Sequence, residues 1–316
     1  MFVPRDKYLW DFWLIYHGGF FHLFYLQAPR NLPDPELRHG LATVGHAISK
    51  DLKIWQDMGT ALGPGPEGNW DDRAIWTGSV IAKDNMFYMF YTGTSKAEEG
   101  KIERIGLAVS QDLVHWEKYS ANPILEADPK WYEVTPDTSP FQEVAWRDPY
   151  IIQHGEWFYA FITARKNSGD PKWRGCIAVA RSRDLVNWEI CEPLKTPECF
   201  AQMEVPQIVY SKGCYYLIFS AKSAWSKEII QTSGIFYMVS TKLMGPYSKP
   251  KVLLGNEAGT LYGGKIVQDV NGHWVALAWI GYTNEGFVGG LSDPIPLKFG
   301  KCTIEVVQDG CDPNRR

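Results

Sequence analysis

Three stretches of this 316-residue chain are nearly the same: AISKDLKIWQ from Ala47, AVSQDLVHWE from Ala108 and ARSRDLVNWE from Ala180. Weaker echoes follow in MVSTKLMGPY from Met238 and GGLSDPIPLK from Gly289, so the anchoring residues are Ser49, Ser110, Ser182, Ser240 and Ser292. They stand roughly 50 to 70 residues apart, a period that calls for a repeat architecture. Before each copy runs an aromatic, strand-like segment (FFHLFYL, MFYMFYTG, EWFYAFIT, CYYLIFSA, HWVALAWIG). Before that, across a tight turn such as HGG, KDN, HGE, SKG or VNG, runs another (WDFWLIY, GSVIA, PYIIQ, PQIVY, GGKIVQDV). With the serine strand and a last one after the tryptophan, each unit holds four antiparallel strands, and helical periodicity is almost absent. The expected fold is all-β, a five-bladed β-propeller with four strands per blade. It forms a single domain over 1–316, with blades at roughly 9–62, 76–125, 147–195, 204–254 and 260–308 and no C-terminal β-sandwich. The period is too long for WD40 repeats, and a pair of β-sandwiches leaves the serine-leucine-tryptophan period unexplained.

Composition narrows the function. The 32 basic and 36 acidic residues leave a net charge of -4 with no basic block, so no nucleic-acid partner is expected. The opening MFVPRDKYLWDFW lacks the pattern of a secretory signal, and no apolar run approaches the roughly 20 residues of a membrane span. A soluble, cytoplasmic protein is expected. Cys176, Cys191, Cys199, Cys214, Cys302 and Cys311 form no C-x-x-C pair and are expected as free thiols. Seven histidines without H-E-x-x-H give no support to a metal, and no cofactor is expected. Fourteen tryptophans exceed what core packing usually recruits, and flat indoles suit sugar faces.

In a propeller the first strand of each blade lines the central channel, and the five starting ends meet at one mouth. At those starts stand Asp11 in LWDFW, Trp76 to Ser79 in WTGS, Asp148 in WRDP, Glu204 in MEVP and Tyr262 in LYGG. The longest loops, among them APRNLPDPELRHG and AKSAWSKEIIQTSG, open on the same face, which is the face such a protein uses. An aspartate before proline is by itself a turn starter. Asp148 together with Asp11 and Glu204, at equivalent positions of three blades, reads instead as converging carboxylates. Such a set repels itself without chemistry to justify it, and glycoside hydrolysis uses one carboxylate to attack the anomeric carbon and another to donate a proton.

Through these motifs the chain resembles the five-bladed furanoside-acting glycosidases, the clan joining glycoside hydrolase families 32 and 68 with its invertases, fructanases, levansucrases and inulosucrases. LWDFW resembles the family 68 nucleophile motif Trp-Asp-Ser-Trp, WTGSV the Trp/Phe-Ser-Gly-Ser motif, and WRDP the Arg-Asp-Pro motif, while MEVPQ takes the place of the acid/base motif. The resemblance implies Asp11 as nucleophile, Glu204 as general acid and then base, and Asp148 as stabiliser of an oxocarbenium-like transition state, in a retaining reaction on sucrose or short fructooligosaccharides with fructosyl transfer as an option. It implies Trp10, Trp76, Ser79 and Arg147 as substrate contacts; Gln207 of MEVPQ and, on the mouth loop, Asp72 join them as candidates. The partner is then a small carbohydrate. The chain departs from family 32 in having WDFW for the longer Asn-Asp-Pro-Asn-Gly motif, valine for cysteine after the glutamate, and no room for the usual appended β-sandwich. Competing readings are an inverting enzyme like family 43, acting on arabinofuranosides or xylosides, and a non-catalytic sugar-binding propeller.

Other features have plainer readings. GTLYGGKI from Gly259 has the spacing of a Walker loop but isoleucine where serine or threonine is needed, and a strand follows it. Trp70, Trp131, Trp146 and Trp225 on the mouth loops are divided between sugar stacking and loop packing, Trp55, Trp116 and Trp188 belong to the core, and Asp51, Asp112 and Asp184 fix turns.

Overall fold

The computed structural model describes residues 1–227 and 231–307, so the tail from 308 with Cys311, and residues 228–230 of the AKSAWSKEIIQTSG loop, lie outside the described residues. Blade 1 comprises Lys7–His17, Phe20–Pro29, Thr43–Ser49 and Gln56–Leu62. Blade 2 comprises Ala74–Lys83, Met86–Thr94, Glu103–Ser110 and Glu117–Lys118, and blade 3 Trp146–His154, Trp157–Arg165, Gly175–Ser182 and Trp188–Cys191. Blade 4 follows with Glu204–Ser211, Cys214–Ala221, Ser233–Ser240 and Lys251–Asn256. Blade 5 has Leu261–Gln268, Trp274–Thr283, Ile295–Phe299 and Ile304–Val306, plus Gly286–Leu291 paired beside Trp274–Thr283, one strand more than expected. Its third position is split at Ser292-Asp293-Pro294, where proline has no N–H for the ladder. The chain's start is sewn to this blade: the Phe2 N–H donates to the Leu291 carbonyl at 2.9 Å, and Leu291 returns a bond to the Phe2 carbonyl at 2.8 Å.

The repeat is a turn device. Ser49, Ser110 and Ser182 each accept the N–H of the leucine three residues on, at 3.0, 2.9 and 2.9 Å. The intervening Asp51, Asp112 and Asp184 accept the next two N–H groups with Oδ1. These bonds hold Leu52, Leu113 and Leu185 at φ of 64°, 65° and 71°, a region leucine rarely visits, and all three are completely buried. The repeat tryptophans are half-buried rather than central: Trp116 packs edge-on against Phe24 of blade 1, and Trp188 against Phe90 of blade 2, wedging each blade onto the one before. The second strands are buried almost throughout, because both faces of a blade pack on neighbours, and this is why they read as continuous apolar runs.

Against the expectation of free thiols, Cys214 and Cys302 form a disulfide with Cα atoms 5.7 Å apart, joining blade 4 to the turn before the last strand of blade 5. Cysteines 88 residues apart carry no sequence sign of pairing. Disulfides of this kind persist where the surroundings are oxidising. Cys214→Ser is expected to cost about 2–4 kcal/mol, read as a lower Tm that matches the reduced wild type; identical melting of oxidised and reduced protein would refute the link. Among the described residues no helix is long and apolar enough to cross a membrane.

The five inner strands contact one another in sequence, and Leu261–Gln268 returns to Lys7–His17 to close the ring. Their first residues line pockets at one end of the channel. Their later residues, such as Leu14, Val80, Ile151 and Val267, line a cavity of about 530 Å³ at the other. The strands therefore run the same way.

Candidate active site

At the mouth, every inner strand slips against its neighbour at one level, just after Trp10, Trp76, Arg147, Glu204 and Tyr262. The residues at the slip are Asp11, Thr77, Asp148, Val205 and Gly263, and the last three have φ of 60°, 53° and 58°. A bulge turns a side chain out of the strand's alternation, which is how such sites aim functional groups. Asp11 and Asp148 therefore do share one position. Glu204 does not: it precedes the bulge, in line with Trp10, Trp76, Arg147 and Tyr262, which corrects the expectation of three equivalent carboxylates.

Each carboxylate is gripped from two sides, by groups of its own or adjacent blades. Asp11 Oδ1 accepts the Trp279 indole N–H at 2.8 Å, and its Oδ2 accepts the Thr77 hydroxyl at 3.3 Å. Gly263 makes this possible, since a Cβ there would lie 2.6 Å from both Asp11 Oδ1 and Trp279 Nε1. Asp148 Oδ2 accepts from Thr163 at 2.9 Å and from the Val205 N–H at 3.0 Å. Glu204 accepts from Arg147 at 2.8 Å with Oε1 and from the Tyr262 hydroxyl at 2.7 Å with Oε2. Arg147 is the hub, donating also to Glu103, Glu143 and Gln202.

Burial, and then the charges of Asp148 and Glu204, push the Asp11 carboxyl up to about 7, against the pull of Trp279 and Lys265. Burial raises Asp148 as well, with Arg147 opposing. Burial lowers the Arg147 guanidinium, yet the surrounding carboxylates, Glu103 first, hold it well above its ordinary value. Glu103 is itself pushed up to about 8 by burial, with Arg147 opposing.

Two pockets of about 240 Å³ meet at Trp10, Asp11, His39 and Glu204. One extends to Trp76, Glu103, Glu143, Arg147 and Asp148. The other extends to Arg38, Lys222, Trp225, Tyr262, Trp279 and Tyr282. Each is the size of a single sugar ring rather than of a large ligand.

Of the expected site residues, Trp10, Asp11, Trp76, Arg147, Asp148 and Glu204 line these pockets. Ser79 and Gln207 do not. Both lie along the opposite cavity, where Ser79 accepts the Ile151 N–H and Gln207 is bonded at both ends of its amide to the Ile266 backbone. Past the bulge, the strand's alternation carries them away from the mouth. Asp72 also lies away from the pockets, fixing its own loop by accepting the Gly68 and Lys96 N–H groups. Of the mouth tryptophans, Trp225 lines a pocket, whereas Trp70 stacks on Tyr91 and Trp146 is fully buried with its N–H on the Leu125 carbonyl. Sequence reasoning missed Trp279, Glu103, Glu143 and His39, whose strands or loops carry no motif; it noticed Lys265 only as part of a Walker-like run. Among the described residues no three His, Cys, Asp or Glu side chains are disposed to hold a metal.

Residues 3–287 match the family model described as the glycosyl hydrolases family 32 N-terminal domain. A sucrose-6-phosphate hydrolase of Pediococcus pentosaceus is 26% identical over 275 residues, covering 84% of this chain and 50% of that protein. One from Bacillus subtilis is 25% identical over 284 residues, covering 84% of this chain and 53% of its own length. The chain thus spans about half the length of these curated relatives. Among solved structures, an inulosucrase from Halalkalicoccus jeotgali bound to kestose superposes with a TM-score of 0.79 at 22% identity, over 97% of this chain and 89% of that one, and so shares the fold. With the family model spanning all five blades' inner strands, the chain belongs to glycosyl hydrolase family 32.

Proposed function

We propose that this protein is a retaining glycosidase of β-fructofuranosides, with sucrose or a short fructooligosaccharide as substrate. The observation that carries this reading is that Asp11 and Glu204 face the same two sugar-sized pockets, with Asp148 and Arg147 beside them. Asp11 attacks the anomeric carbon while Glu204 gives its proton to the leaving oxygen. Water, deprotonated by Glu204, then releases fructose from the covalent intermediate, and a second sugar in place of water gives fructosyl transfer. Asp148, buried and unable to turn away, keeps negative charge beside the oxocarbenium-like ring. The names of the relatives, sucrose-6-phosphate hydrolase and inulosucrase, support a fructoside.

The experiment is release of glucose and fructose from sucrose, kestose and sucrose 6-phosphate by the purified protein. Equal glucose and fructose from sucrose is the expected result, and glucose in excess marks transfer. Absence of release from all three would overturn the reading and send the search to arabinofuranosides.

Because the nucleophile must be ionised, kcat/KM is expected to fall as pH drops through about 7, where Asp11 takes up its proton. Trp279→Phe removes the N–H that favours the ionised form. A hydrogen bond to a charged group contributes about 1.5–3 kcal/mol, so roughly 10- to 100-fold less activity at pH 7 is expected, with the acid limb moved to higher pH. An unmoved limb would show that the indole only packs.

A further inference from the structure

The run Gly263-Gly264-Lys265-Ile266, too poorly followed for a phosphate loop, puts a lysine inside the channel, behind the mouth pockets and along the cavity at the other end. Lys265 is only 4% exposed. Its Nζ donates to the carbonyls of Val205 at 3.1 Å and Pro206 at 3.2 Å, and it lies 5.6 Å from the centre of the Tyr150 ring. Those two carbonyls belong to the backbone directly behind Glu204. Val205 is a β-branched residue at φ 53°, a conformation that costs free energy and persists only where its surroundings hold it. Its N–H is tied to Asp148 and its carbonyl to Lys265, so the bulge that aims Glu204 is held from both sides.

The same ammonium acts on the carboxylates by its charge, pulling the Asp11 carboxyl down while Asp148 and Asp11 hold the lysine up. Asp11 is surrounded by Thr77 of blade 2, Asp148 of blade 3, Glu204 of blade 4, and Tyr262, Lys265 and Trp279 of blade 5. Arg147 is already engaged by Glu103, Glu143 and Glu204. Arg147 also pairs with Asp148, Nε to Oδ2 at 3.8 Å, so Lys265 is a second cation near that carboxylate and the one whose charge opposes the rise of Asp11.

We propose that Lys265 is a positioning residue of this site, a buried cation that braces the strained backbone behind Glu204 and adds to Arg147 a second positive charge for the carboxylates, chiefly for Asp11. It rests on the reading of Asp11 and Glu204 as the reacting pair. Burial lowers the lysine to about 8, while Asp148 and Asp11 oppose that fall, so the ammonium and the carboxylates support each other's charged forms. A neutral side chain there leaves Asp11 harder to ionise.

The test follows protons as well as sugar. In nitrogen-labelled lysine NMR, the Lys265 titration midpoint is expected to fall by about one pH unit in Asp11→Asn, a tenfold change in proton affinity, because the Asp11 charge is gone. Equal midpoints in the two proteins would overturn the proposal. In Lys265→Met, which keeps the length and loses the charge, kcat is expected to fall about tenfold or more with KM little changed, and the acid limb of kcat/KM to move up by about one pH unit. Lower activity with an unmoved limb would reduce Lys265 to a packing role and also overturn the proposal. Should the methionine variant not fold, the lysine titration in Asp11→Asn decides alone. If the wild type cleaves no fructoside, the functional reading fails separately, since the lysine midpoint needs no turnover.

Discussion

Asp11→Asn is expected to lose on the order of 10⁴-fold or more of the fructose release from sucrose, and at pH 8 to melt at a higher temperature than the wild type. The loss follows from chemistry, because an amide cannot form the covalent intermediate. The gain follows from linkage. Asp11 has an ordinary value of 3.8 in an unfolded chain and is pushed up to about 7 in the fold by burial and by Asp148 and Glu204. Between those values the folded state binds the proton more tightly than the unfolded state, so stability falls as pH rises from about 4 to 7. Above 7 the full cost applies, about 4 kcal/mol at most. Asparagine removes that charge and retains an oxygen for Trp279. The two proteins should therefore differ most above pH 7 and converge below about 4, as read by thermal melts across pH. A carboxylate kept for structure would behave oppositely, and a variant less stable than wild type at pH 8 would remove Asp11 from the reacting pair. Stability given up for a reactive group is what a functional site shows.

How far the sequence reveals such a site depends on the range of the interaction that sets each residue. Ser49-x-Asp51-Leu52 and its two strong copies are legible because their hydrogen bonds close within five residues, and the blade count follows from them. Asp11 and Asp148 are legible because tryptophan before one and Arg-Pro around the other mark them. The offset of Glu204 is not, because a bulge is defined by pairing with Ser220 and Ile218 on another strand. Ser79 and Gln207 fail for the same reason: a register shift a few residues earlier decides which end of the channel they face. Trp279 comes from a second strand and reaches Asp11 only through the space Gly263 leaves. The Cys214–Cys302 bond joins neighbouring blades, and nothing local foretells it.

Glu204→Ala separates leaving groups. If Glu204 protonates the departing oxygen, its loss should cost sucrose cleavage roughly 10²- to 10⁴-fold, the usual range for a positioned acid. An activated aryl β-fructofuranoside, whose phenolate leaves without a proton, should lose far less in the first step. Its second step still lacks the base that activates water, so an initial burst of phenol followed by slow turnover is expected, with the covalent intermediate accumulating on Asp11. Arg147 and Tyr262 each lose an acceptor in this variant, which could loosen the pocket. Glu204→Gln, which keeps an oxygen for one of them, should show the same preference for the aryl substrate. Equal losses on both substrates in both variants would mean that Glu204 only anchors Arg147 and Tyr262, and the acid would have to be sought among the other carboxyls of the pocket. Glu103, completely buried and held up to about 8, would be the first of these to replace.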